Sequence, residues 1–142
     1  MICVLVDTNV VLDVLLDRRP HAEQSITLWG HIESGRMRGL LPAHAITTIH
    51  CLLRRELGET GTGKIVASLM SVFGIAPVNS DVLAEALSSS SGDFEDAIAA
   101  AAARQTRCQY IVTRDPRGFR GAAVKAVAPE IVNALFAAGR HN

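Results

Sequence analysis

The sequence has little that would indicate a disulfide-stabilised, zinc-binding or membrane protein. Its three cysteines, Cys3, Cys51 and Cys108, are far apart and odd in number, so we expect small buried side chains in a reducing environment. The five histidines lack metal-binding spacing, which argues against zinc. No apolar run approaches the roughly 18 residues of a membrane span, and no basic segment precedes an apolar stretch at the N-terminus. We therefore expect a soluble, cytoplasmic protein.

An excess of charge of one sign is also missing. The 14 basic and 14 acidic residues give a formal net charge of zero, so bulk charge gives no indication of nucleic-acid binding. Any RNA contact must depend on local groups. Aromatic residues are few, and the single tryptophan, Trp29, is expected in the core or an interface rather than as a base-stacking platform.

Strand-like and helix-like segments alternate along the chain. The patterns predict strands at 2–6, 38–41, 75–78, 109–113 and 125–128, and helices at 10–17, 20–34, 43–57, 65–73, 81–87, from about 93 onward, and 129–138. Residues 88–92 are expected to form a flexible loop. This alternation predicts an α/β fold of three layers, with a central parallel sheet of about four to five strands and helices on both faces. At 142 residues and 49% hydrophobic content, we expect one domain spanning 1–142.

Acidic residues follow two of the predicted strands directly. Asp7 ends the first apolar run, Asp115 follows the fourth, and Asp93 and Asp96 open the alanine-rich helix just before it. In open α/β sheets, sites form outside the carboxyl ends of the strands, so these acids are predicted to meet at one edge. Clustered carboxylates must bind protons or a cation at neutral pH, and oxygen ligands favour Mg²⁺ or Mn²⁺.

The motifs resemble those of the PIN-domain ribonucleases, which include the VapC-like toxins of toxin–antitoxin systems. The matching pieces are Val6-Asp7-Thr8-Asn9, Asp96-Ala97 and Thr113-Arg114-Asp115, and their order covers most of the chain. The resemblance implies a PIN-like fold and Mg²⁺- or Mn²⁺-dependent hydrolysis of RNA phosphodiester bonds. It also implies a cognate antitoxin and a homodimer.

The resemblance also implies roles for individual residues. Asp7, Asp96 and Asp115 would be the catalytic, metal-binding acids, with Asp93 as a fourth catalytic acid. Three further residues would orient these acids without binding the metal themselves: Asn9, Thr113 and Thr48. Arg114, Arg117 and Arg120 around Asp115 are the best candidates for RNA phosphate contacts, although each could equally be a solvated surface charge.

The sequence departs from the family pattern at one place. The family has a Glu on a helix between the first and third acids, and that helix is expected at 43–57. The corresponding position falls near Thr47-Thr48, and no acid follows until Glu56. The alternative is therefore a degenerate, non-catalytic PIN-like domain that binds RNA or a protein partner.

Each acid also has a purely structural interpretation. Asp7 could cap the helix that follows it, Asp93 could be an N-cap with Asp96 at the third helical position, and Asp115 could be an ordinary turn residue. Two other phosphate-handling folds fit less well. A haloacid-dehalogenase-type phosphatase needs a second Asp where this chain has Asn9. A response-regulator receiver needs an Asp ending the third strand and a late Lys before Pro, and Lys125 is not followed by Pro.

Overall fold

The computed structural model describes residues 1–90 and 92–139, and these form five strands and seven α-helices. The strands are β1 (Cys3–Val6), β2 (Arg38–Pro42), β3 (Gly74–Ala76), β4 (Tyr110–Val112) and β5 (Lys125–Val127). The helices are α1 (Thr8–Leu15), α2 (His21–Glu33), α3 (Ala43–Leu57), α4 (Thr62–Val72), α5 (Ser80–Leu87), α6 (Phe94–Gln105) and α7 (Pro129–Ala137). A short 3₁₀ helix spans Pro116–Phe119.

All five strands are parallel and lie in the order β3-β2-β1-β4-β5. The first strand of the chain is therefore the central one. Val4 pairs with Gly39 on one side and with Tyr110 on the other. Parallel strands point their carboxyl ends to the same edge, so the residues that follow β1 and β4 emerge side by side.

Alternate residues of the central strands fill two separate cores. Leu5, Leu40 and Ile111 pack with residues of α5 and α6, including Val82 and Ala102. Val4, Val6 and Val112 pack on the opposite face with residues of the other five helices, among them Val11, Leu28, Ile49, Leu69 and Phe136. Burial on both faces explains why these strands read as continuous apolar runs. The predicted three-layer α/β fold with a parallel sheet is confirmed.

Several boundaries differ from the sequence prediction by a few residues. Helix α1 begins at Thr8 rather than at residue 10, because the Asp7 side chain accepts from the Thr8 backbone N–H and caps the helix. Strand β3 ends at Ala76 because Pro77, which follows, has no N–H for the ladder. The expected loop at 88–92 includes residue 91, which lies outside the described residues.

The cysteines follow the prediction only in part. Cys108 is buried and Cys3 partly so, and their Sγ atoms lie 3.6 Å apart, yet Cys51 is exposed. The expectation that Cys51 is buried is wrong, because it lies on the solvent face of α3. Trp29 is half-buried at the edge of the core, where it packs edge-on against Phe73 with ring centroids 5.0 Å apart. Within 1–90 and 92–139, no helix is long and apolar enough to cross a bilayer.

Candidate active site

The ends of β1 and β4 are joined by the hydroxyl of Thr113, which is buried. This hydroxyl donates to Asp7 Oδ2 over 2.9 Å and accepts from the backbone N–H of Asp115 over 3.1 Å. The other oxygen of Asp7, Oδ1, accepts from the Thr8 N–H at 2.9 Å. Asp7 thus caps α1, as its structural interpretation requires, and its carboxylate is also fixed at the sheet edge. Thr113 connects two of the predicted acids directly.

Helix α6 brings the other two predicted acids to the same edge. Asp93 is its N-cap, and its Oδ1 accepts from the Asp96 backbone N–H at 3.1 Å, so the capping interpretation of Asp93 is confirmed. The Asp96 carboxylate lies close to the 3₁₀ helix: a Cβ on Gly118 would be 2.9 Å from Asp96 Oδ2 and 3.9 Å from Asp115 Oδ2. Only a residue without a side chain at 118 leaves this approach undisturbed.

Three of these acids, Asp7, Asp93 and Asp96, border a cleft of about 220 Å³ between α1, α3 and α6, whereas Asp115 does not line it. Its polar lining consists of Asp7, Thr8, Asn9, His44, Thr48, Asp93, Glu95 and Asp96. We call this cleft the acidic pocket. Asp96 also lines a smaller cavity on its other side, together with Gly118 and Arg120. Asp96 is therefore reached from two sides, and it is the most central of the acids.

Asp96 is the acid of this site whose ionised form is most disfavoured by its surroundings. Burial, followed by repulsion from Asp93, Asp7, Asp115 and Glu95, raises its pKa from 3.8 to about 6. Burial also raises the pKa of Asp7, although its hydrogen bonds from Thr113 and Thr8 oppose the change. The four carboxylates around Asp96 thus disfavour its ionised form, and a proton or a cation would relieve the repulsion.

The oxygen donors of the acidic pocket suit a hard divalent cation, but they would supply only part of its coordination. Carboxylate and hydroxyl oxygens suit Mg²⁺ or Mn²⁺ rather than zinc. However, no three His, Cys, Asp or Glu side chains within 1–90 and 92–139 are arranged around a common point that could hold a metal ion. Mg²⁺ is commonly held by one or two carboxylates together with waters and substrate phosphates, and this arrangement is the one that the pocket can provide.

Helix α3 presents no acid to the pocket. The residues of its pocket-facing stripe are His44, Thr48 and Leu52, spaced four apart. Thr48 is half-buried, and its hydroxyl donates to the His44 carbonyl at 3.5 Å. Asn9 is exposed on the wall formed by α1. The segment near Thr47 and Thr48, where a Glu is expected from the resemblance, thus carries no acid, and of these two residues Thr48 lines the pocket.

The three predicted phosphate-binding arginines are arranged differently from one another. Arg114 Nε lies 2.7 Å from Oδ2 of the fully buried Asp13. Arg117 is largely exposed, with Nε 3.8 Å from Asp115 Oδ1. Arg120 is exposed and lines the smaller cavity beside Asp96. Arg114 and Arg117 thus each have a carboxylate neighbour, but only that of Arg114 is fully buried.

Three residues of this region were not singled out from the sequence. Glu95 lines the acidic pocket and adds to the repulsion on Asp96; its position in the first turn of α6 was the available signal. His44 lines the pocket, and burial lowers its pKa while Glu95 and Asp7 act in the opposite sense. Asp13 is an acid within the apolar run of α1, and such an interruption is a signal for a paired buried charge.

The model of the PIN-domain family matches residues 3–117, which is most of the chain. The protein therefore belongs to the PIN-domain family. The match includes Asp7, Asp96 and Asp115 within its bounds, and β5 and α7 follow it. None of the curated proteins gives a significant match to the sequence.

Several solved structures have a similar fold. The DNA-bound VapBC of Salmonella typhimurium aligns with a TM-score of 0.69 at 14% identity, over 91% of this chain and 99% of that one. A toxin–antitoxin complex from Klebsiella pneumoniae gives 0.68 at 19% identity, over 89% and 97%. VapC20 of Mycobacterium tuberculosis, a Sarcin-Ricin loop cleaving toxin, gives 0.62 at 19% identity, over 76% and 86%. At these identities the likeness shows a common fold.

Proposed function

We propose that the protein is a Mg²⁺- or Mn²⁺-dependent endoribonuclease, and that residues 1–142 form a single PIN domain. The observation that supports this most directly is the set of carboxylates around Asp96 at the carboxyl edge of the sheet; burial, and then repulsion from these carboxylates, raise the Asp96 pKa to about 6. A raised carboxylate pKa in a cleft indicates a functional site. In a PIN-domain chain, the activity that fits such a site is phosphodiester hydrolysis.

Asp7, Asp96 and Asp115 are the acids proposed to bind the cation, one or two of them directly, with Asp93 as a fourth acid beside them. The cation would polarise a phosphate oxygen and lower the pKa of an attacking water. Thr113 would keep two of these acids in place through its two hydrogen bonds, to Asp7 Oδ2 and from the Asp115 N–H. Because no three metal-binding side chains of the described segments surround one point, a substrate phosphate would complete the coordination.

RNA would reach the site by way of the neighbouring arginines. An acidic pocket repels the RNA backbone, so nearby cations are required for productive binding. Arg114, Arg117 and Arg120 lie on the segment that carries Asp115 and would contact phosphates. Single-stranded RNA is the proposed substrate, because its unstacked segments fit a narrow cleft more easily than a duplex does.

We also propose an antitoxin partner and a homodimer. The proposal is supported by the similar folds of the Salmonella typhimurium VapBC and of the Klebsiella pneumoniae toxin–antitoxin complex. An antitoxin segment that covers the acidic pocket would exclude RNA from it.

The test is cleavage of an end-labelled RNA pool by the purified protein with Mg²⁺ or Mn²⁺. We expect cleavage that EDTA abolishes and that Asp96→Asn or Asp7→Asn reduces by several orders of magnitude, with the fold intact by circular dichroism. The matched control is Asp81→Asn, which removes an exposed first-turn acid from α5 and should leave cleavage unchanged. Equal cleavage by Asp96→Asn and the unsubstituted protein would disprove the proposal.

A second candidate is a non-catalytic PIN domain that binds RNA or a protein. The specific observation in its favour is that α3 presents no acid to the pocket, where its facing residues are His44, Thr48 and Leu52, although a Glu is expected near Thr47 and Thr48. If folded protein binds the RNA pool with either metal but does not cut it, this second function replaces the first.

A further inference from the structure

Asp13 is a fully buried carboxylate on α1, with 0% of its side chain exposed. Its Oδ2 lies 2.7 Å from Arg114 Nε, and its Oδ1 lies 3.7 Å from Arg18 Nη1. Neither oxygen receives a well-directed hydrogen bond from the described residues, so the contacts are ion pairs rather than aligned hydrogen bonds. A buried carboxylate is costly unless it is paired, and removal of a partner leaves a strongly unfavourable charge. Asp13 therefore holds Arg114 firmly.

Arg114 lies between Thr113 and Asp115 in the chain, and its charge is close enough to Asp7 to oppose the rise in the Asp7 pKa. Its side chain lines a neighbouring cavity with Pro20, His21 and Glu130, and not the acidic pocket itself. Thr113 before it donates to Asp7, and the backbone N–H of Asp115 after it is bound by the same hydroxyl. About a third of the Arg114 side chain is exposed. Asp13 approaches Nε, and no other carboxylate of the described ranges forms an ion pair with Arg114. The outer edge of a guanidinium carries further N–H donors that suit a phosphate.

We propose that Asp13 is a positioning residue, which fixes the Arg114 guanidinium beside the acidic pocket so that it contacts an RNA phosphate. This inference rests on the proposed function, since it assigns Arg114 to the RNA of that site. A mobile arginine loses considerable rotamer entropy when it binds, and a fixed one does not. The buried ion pair would therefore strengthen RNA binding without itself touching RNA.

The direction in which Asp13→Asn changes the affinity for RNA distinguishes a positioning role from a general electrostatic effect. Asp13→Asn removes a negative charge, and long-range attraction alone would then make RNA bind more tightly. Positioning predicts the opposite result, because Arg114 loses its anchor. The matched control is Glu85→Gln, which removes the same charge from another ion pair, that of Arg104 with Glu85 between α6 and α5.

The experiment measures the affinity of a short single-stranded RNA by fluorescence anisotropy in EDTA at several salt concentrations. We expect Asp13→Asn to weaken binding about 3- to 10-fold, and Arg114→Ala to weaken it at least as much, with a salt slope lower by about 0.7. The double variant should bind as Arg114→Ala does, because Asp13 acts through Arg114. Glu85→Gln should bind as tightly as the unsubstituted protein or more tightly. Unchanged or tighter binding by Asp13→Asn, or additive losses in the double variant, would overturn the proposal.

A second measurement covers the case in which Asp13→Asn does not fold. In the unsubstituted protein, the Nε–H of an Arg114 held in one conformation should give a resolved NMR signal that moves when RNA is added. An averaged signal, or one that RNA leaves in place, contradicts the positioning role. Absence of RNA cleavage by the unsubstituted protein would end the nuclease proposal, but the binding comparison would still decide the role of Asp13.

Discussion

Replacement of Asp96 by Asn should stabilise the protein in the absence of divalent cations. The difference between its pKa of about 6 and the ordinary value of 3.8 corresponds to about 3 kcal/mol of unfavourable interaction for the ionised carboxyl. Asp96 is only partly buried, so solvent screening reduces this to about 1 kcal/mol. An amide of the same shape carries no charge and avoids the penalty.

The effect should depend on pH in a defined direction. At a pH below 3.8, the Asp96 carboxyl is protonated in both states and contributes nothing. Between 3.8 and about 6, the unfolded chain releases this proton while the folded chain retains it. The folded state binds more protons here, so stability falls as pH rises through this window, and the penalty is complete above it. Asp96→Asn lacks this dependence.

The assay is urea unfolding in EDTA, from about pH 4 to about pH 7.5. We expect Asp96→Asn to be about 1 kcal/mol more stable than the unsubstituted protein at the upper pH, or roughly 3 °C in melting temperature, and similar to it at the lower pH. Glu130→Gln is the control, because it removes a first-turn acid from α7 and should cost a few tenths of a kcal/mol through the helix dipole. If Asp96→Asn is as destabilising as Glu130→Gln at the upper pH, the penalty that burial and repulsion place on the ionised Asp96 carboxylate is refuted.

Three further outcomes are expected. Thr113→Val removes the hydroxyl that donates to Asp7, so a buried oxygen loses its donor, and urea unfolding should show a loss of about 1–3 kcal/mol; equal stability would contradict the role of this hydrogen bond. Gly118→Ala places a Cβ 2.9 Å from Asp96 Oδ2; because the carboxylate can turn away, RNA cleavage should fall far more than the melting temperature. Cys51 is exposed and should react with iodoacetamide in the native protein before the other two cysteines, which peptide mass spectrometry will reveal; simultaneous modification of all three would contradict the burial pattern.

The sequence predicted the sheet because buried parallel strands need apolar residues on both faces, and such runs stand out in a linear sequence. Asp7 and Asp115 were recognised because each directly follows such a run. Asp93 and Asp96 could be placed on one helix from their spacing of three. The predicted end of β3 and the predicted start of α1 each differ from the observed boundary by two residues. The observed boundaries, Ala76 and Thr8, are decided by a single proline and a single capping carboxylate.

Only the tertiary structure decided which groups face one another. Thr113 is linked to Asp7 across 106 positions of sequence, and Asp13 is paired with Arg114 across a similar separation, because β1 and β4 are neighbours in the sheet and far apart in the chain. Local patterns determine which residues are apolar, helical or acidic. They do not determine long-range pairs, because the strand order that creates such pairs is set by how the whole chain packs.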